Sequence, residues 1–109
     1  MEKIVSVSPN VTEYLKELVT ILYEKEYFGF EEDAHQYVEK LKTAIYKDLP
    51  SLTHHETPEE LKNYGKHYVK ISGSKNTMWY VCFSNMKNRY LIQLIINNHV
   101  PQRRYLNEL

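Results

Sequence analysis

Residues 77–84, TMWYVCFS, and 89–97, RYLIQLIIN, are two runs of β-branched, aromatic and long aliphatic residues parted by a short polar stretch. Their composition predicts two adjacent strands. The first run is apolar on both faces, which predicts a strand in the middle of a sheet, covered on each side. The cover has to come from the same 109 residues.

The first half supplies it. Ile4-Val5-Ser6-Val7 reads as a short strand. Ser8-Pro9-Asn10 then reads as a helix start, with Ser8 as cap and Pro9 at the first helical position, where its missing N–H is not needed. Asn10 and Glu13 offer a second start with capping-box spacing. Val11, Tyr14, Leu15, Leu18, Val19 and Leu22 recur at helical spacing along a first helix that is expected to reach about Tyr27. Gly29 interrupts it. A second helix is expected from Phe30, with Glu31, Glu32 and Asp33 at its positive end and Phe30, Ala34, Tyr37, Val38, Leu41, Ala44, Ile45 and Leu49 on one face, until Pro50 stops it. The short link predicts an antiparallel helical hairpin.

Residues 51–66 read as a connector holding one helical turn, signalled by Thr57-Pro58-Glu59-Glu60 and ended by Gly65. Then come a strand at Tyr68-Val69-Lys70-Ile71, a turn over residues 72–76, the two apolar runs with a turn over 85–88 between them, and a tail from Gln102. The expectation is a single α+β domain over residues 1–109. An N-terminal strand and a helical hairpin precede a three-stranded antiparallel meander, in the order β-α-α-β-β-β.

Composition narrows the function classes. Hydrophobic residues make up 42% and charged residues 26%, which excludes a disordered chain. No apolar run approaches the ~20 residues that span a bilayer, so no membrane partner is expected, and Met1-Glu2-Lys3-Ile4-Val5 lacks the shape of a signal peptide. The single cysteine, Cys82, sits in an apolar run and has no internal partner, which fits a reducing, cytoplasmic setting. Net charge is zero but polarised. Residues 1–60 hold 6 Lys and Arg against 13 acids, whereas residues 61–109 hold 8 against one, Glu108. Such halves suit either an internal pairing or two surfaces with different partners.

The order and lengths of these elements resemble the RelE/ParE family of type II toxin-antitoxin (plasmid stabilisation) toxins. Ile4-Val5-Ser6-Val7-Ser8-Pro9 is similar to the family's opening strand and serine-capped helix. Residues 65–71, GKHYVKI, and Trp79-Tyr80-Val81-Cys82-Phe83 are similar to its second and third strands. Residues 90–99, YLIQLIINNH, are similar to a final strand that ends on a polar residue, often histidine. The likeness covers nearly the whole chain and is one of pattern, with no single specific motif. It implies a bacterial toxin bound by a cognate antitoxin protein. The activity it implies is either ribosome-dependent cleavage of mRNA (an mRNA interferase) or non-catalytic binding of a protein, such as DNA gyrase in the ParE type.

Cleavage at a phosphate without metal needs a proton acceptor, a stabiliser of phosphorane charge and a proton donor. His99, with an ordinary pKa near neutrality, is the proton-transfer candidate. Arg89 offers bidentate phosphate contacts and Lys70 a neutralising charge. Tyr68, Tyr80, Tyr90, Arg103 and Arg104 are candidates for contacting nucleic acid or a protein partner. No cofactor and no metal is implied: His54, His55 and Glu56 are neighbours on a loop with no distant Cys/His cluster to match. Two departures from the family favour protein binding over catalysis. The chain is neutral overall, and Asn76-Thr77-Met78 stands where many active members carry an arginine.

Overall fold

A computed structural model describes residues 2–24, 31–74 and 77–98. The elements are β1 (Ile4–Val7), α1 (Pro9–Glu24), α2 (Glu31–Asp48), β2 (His55–Glu56), β3 (His67–Ser74), β4 (Thr77–Met86) and β5 (Arg89–Asn97), with 3-10 segments at Leu49–Ser51 and Glu59–Tyr64. One five-stranded sheet has the order β1-β5-β4-β3-β2. The strands β3, β4 and β5 form the expected antiparallel meander, and β1 adds to β5 in parallel. The strand that is apolar on both faces, β4, takes the centre of the sheet.

Both helices lie on one face of this sheet. Val11, Leu15, Leu18 and Leu22 of α1 and Ala34, Val38, Leu41 and Ile45 of α2 share a core with Val69, Ile71, Trp79, Val81, Phe83, Ile92 and Ile95. These are the positions the helical spacing selects. Tyr14, Val19, Tyr37 and Ala44 complete the layer half-buried. Tyr37 accepts a hydrogen bond from Trp79 Nε1 at 2.8 Å across the face that Gly73 leaves open; a Cβ on Gly73 would overlap both side chains. Burial, and then the neighbouring Tyr37, raise the pKa of the Tyr14 phenol.

Several expectations need correction. Ser8 supplies its backbone carbonyl to the N–H groups of Val11 and Thr12, but its hydroxyl donates to Asn10 Oδ1 at 2.6 Å instead of capping the helix. Asn10 therefore lies inside the first turn and is not a cap; its Nδ2 reaches the Gln93 carbonyl at 3.4 Å. The first helix is described only to Glu24, and Tyr27, Gly29 and Phe30 lie outside the described residues. A fifth strand, β2, sits inside what reads as connector, so the element order differs from the expected one. The strand β3 runs on to Ser74 through residues expected in a turn, because Ser72 and Ser74 still pair with Met78 and Thr77. The 85–88 turn shrinks to Lys87 and Asn88: Asn85 and Met86 pair with Tyr90 and Arg89, and Lys87 makes the reversal with φ of 56°.

The register of β4 on β5 shifts between Cys82 and Phe83, leaving Gln93 as an extra residue on β5. Such a bulge resets the alternation of side chains. Tyr90 and Ile92 before it and Ile95 after it all face the helices, while Leu94 and Ile96 face the other way. The bulge is why RYLIQLIIN reads as apolar without clean alternation.

Candidate functional site

Among the described residues the second face of the sheet carries no α-helix, and its two ends differ. At the β3 end, the 3-10 segment Glu59–Tyr64 lays Leu61 over Tyr68, Tyr80, Cys82 and Ile96, with Met78 and Leu94 at the margin. Burial pushes the Tyr68 phenol up to about 12 and the Cys82 thiol up to about 12. Among the described residues the Tyr68 hydroxyl has no hydrogen-bond partner.

At the β1 end nothing described covers the sheet. Ile4 is 45% exposed, Leu91 40% and Met86 76%. Ile4 pairs with Arg89 and Ser6 with Leu91 in the parallel ladder, and Met86 pairs with Arg89 and Ser84 with Leu91 in the antiparallel one. Paired residues share a face, so these side chains form one surface. They line an open groove of about 420 Å³. Its frame is held by Ile4 N–H donating to the Asn88 carbonyl at 2.8 Å, Asn88 Nδ2 donating to the Glu2 carbonyl, and Ser84 Oγ donating to Gln93 Oε1 at 3.1 Å. Arg89 gives the groove its charge, and no acidic residue occurs anywhere from Leu61 to Asn98.

Lys70 and Arg89 both project from this face, as expected of a common positive surface, yet they do not converge. Lys70 pairs with Tyr80 and Arg89 with Met86, positions about 20 Å apart along β4 at ~3.3 Å per residue. No one phosphate touches both. His99, Arg103 and Arg104 lie outside the described residues. Asn98 donates its N–H to the Met78 carbonyl at 3.1 Å, so β5 finishes at the end of the sheet remote from Arg89. The three tyrosines are buried, not displayed: Tyr68 and Tyr80 lie beneath Leu61, and Tyr90 packs in the helix-side core. Their rings are not available for stacking on a base. The strand preference that made them visible in the sequence is satisfied here by packing.

The groove residues Ile4, Met86 and Leu91 escaped notice in the sequence. Met86 sits in what looks like a polar turn, and exposure of one leucine in an apolar run leaves no local mark. Sequence reading weighed His54 and His55 only as metal ligands and did not connect them with His67, which the structure brings beside them where β2 pairs with β3. The rings of His54 and His67 have centroids 6.2 Å apart. Burial first, then His54 and Lys66, hold the pKa of His67 below the ordinary histidine value. Among the described residues, no three His, Cys, Asp or Glu side chains gather as a metal site would require.

Comparison of the chain with protein-family models, with curated proteins and with solved structures finds no match. The described residues form an α+β fold: two α-helices on one face of a mixed five-stranded sheet, and a half-covered second face. None of its described helices is long and apolar enough to cross a membrane.

Proposed function

We propose that this chain is a protein-binding module of the RelE/ParE kind, the toxin component of a toxin-antitoxin pair, and that its working contact is with protein through the bare end of the sheet. One observation carries the reading: an apolar groove of Ile4, Met86 and Leu91, edged by Arg89, lies open on an otherwise well-packed domain. The occupant it suits is an amphipathic segment of an antitoxin, apolar on one side and acidic on the other, because the region from Leu61 to Asn98 carries positive charge and no acid. The family reading rests on the resemblance of the sequence, since the inserted β2 makes the order of elements differ from the expected one; the neutral net charge and the distance between Lys70 and Arg89 favour binding over catalysis. The acid-free stretch from Leu61 to Asn98 also supports the mRNA endoribonuclease reading, since it suits a polyanion, and that is the second reading.

One induction experiment separates them. Expression of the chain alone in a bacterial host is expected to arrest growth while messages stay intact. Leu91→Asp with Met86→Asp is expected to relieve the arrest without changing the free energy of unfolding by more than about 1 kcal/mol, since both side chains are exposed. Cut messages, with cutting lost in His99→Ala, would replace the binding reading with the nuclease. Normal growth at high expression would remove both.

A further inference from the structure

Residues 52–66 wrap the free edge of the sheet, and histidines fasten them on both faces. On the helix side, the His54 ring meets Phe83 edge-on at 4.9 Å and Tyr90 at 6.1 Å, and its Nε2 lies 3.3 Å from the Leu49 carbonyl. The next residue, His55, crosses to the other face and stacks on Tyr68 at 5.1 Å. The His55–Glu56 strand pairs with Tyr68 and His67. Leu61 then covers Tyr80, Cys82 and Ile96. Gly65, with φ of 134°, returns the chain against the Phe83 backbone, so close that a Cβ would overlap it. Two paired residues make a short strand, so side-chain contacts must hold much of this segment down.

The groups around His67 oppose its protonation. His54, Lys66 and Lys62 face it with positive charge or the capacity for it, and Glu56 alone favours the charged form. Glu56 is itself engaged with Lys62 at 3.0 Å, which holds its carboxyl below the usual range. The Nδ1 atom of His67 is buried with no hydrogen-bond partner among the described residues, so a second ring proton would sit there unsatisfied.

We propose that residues 52–66 form a pH-released strap: neutral His67, packed beside His54, clips it to the sheet edge, and protonation of His67 lifts it to uncover Tyr68, Tyr80, Cys82 and Ile96. The uncovered face continues that of Leu94 and Leu91, so acid enlarges the apolar surface beside the groove. The direction follows from linkage. A histidine whose pKa is lowered in the closed state stabilises that state fully above the unperturbed value, near 6.5. The stabilisation is lost as pH falls from there through the lowered value.

Two probes on opposite faces test this without any partner, so the outcome is independent of the docking reading. Cys82, the only thiol, lies beneath the strap, and Trp79 lies against the helices. Modification of Cys82 by a dipyridyl disulfide is followed at about pH 7.5 and about pH 5.5, each rate divided by that of the denatured chain at the same pH. The normalised rate is expected to rise several-fold at the lower pH, while Trp79 emission stays constant. His67→Gln with His54→Phe is expected to flatten that dependence. Should this pair fail to fold, amide exchange of residues 52–66 in the unaltered protein takes its place, with faster exchange there at low pH than in β4 and β5. An unchanged normalised rate, a joint change of Cys82 and Trp79, a dependence that survives the substitutions, or uniform exchange would each overturn the strap.

Discussion

The two ends of the sheet face opposite α1 and α2 are built from similar residues and end in opposite states. At one end Tyr68, Tyr80, Cys82 and Ile96 are sealed by Leu61; at the other Ile4, Met86 and Leu91 meet solvent. Burying a large apolar side chain stabilises by roughly 1.5–3 kcal/mol, so the bare end forgoes what the covered end gains. The difference teaches that cover on this face is local and supplied by one segment, residues 52–66. It also shows that a continuous apolar run in a sequence does not reveal which of its parts will be left open.

Substitutions at the two ends should separate them. The largest effect is expected from Leu61→Ala at the covered end, a loss of about 2–5 kcal/mol in urea unfolding, because the cavity opens onto rings that cannot close it. The same truncation at the bare end, Leu91→Ala, is expected to cost below about 1 kcal/mol. Equal losses would mean that the two ends are covered alike. Gly65→Ala comes next. Its positive φ and the Phe83 backbone leave no room for a methyl, and a loss of about 1–3 kcal/mol is expected, accompanied by faster Cys82 modification. Tyr68→Phe should act the other way and stabilise by about 1 kcal/mol, since it removes a buried hydroxyl that has no partner among the described residues. Smallest is Lys87→Gly, at the turn beside the bare end. Relief of a left-handed lysine, offset by glycine's greater chain entropy, leaves a gain below about 1 kcal/mol, readable as a shift in thermal midpoint.

Much of the fold is legible in the chain because its elements repeat. Val11, Leu15, Leu18 and Leu22, like Val38, Leu41 and Ile45, are buried where helical spacing puts them, and TMWYVCFS takes the central strand its composition demands. The turn boundaries at residues 72–76 and 85–88 were misjudged because polar side chains on a free strand end look like loop residues. The candidate site was far less legible. Lys70, Arg89 and the tyrosines stood out by chemistry, whereas exposure and distance decide their use. Tyr68 and Tyr90 are buried, and Lys70 sits about 20 Å from Arg89 at ~3.3 Å per residue.

By itself the amino-acid order determined the two helices and the four longer strands, the central place of β4 and the division of charge between the two halves, since all three rest on local preference and periodicity. Only the tertiary structure decided which face of each strand is covered, that Gln93 resets the alternation of β5, that His54 and His67 meet, and that Ile4, Met86 and Leu91 form a groove. Those outcomes depend on contacts between residues far apart in the chain. Burial is a property of what lies opposite a side chain, and no window along one strand contains it.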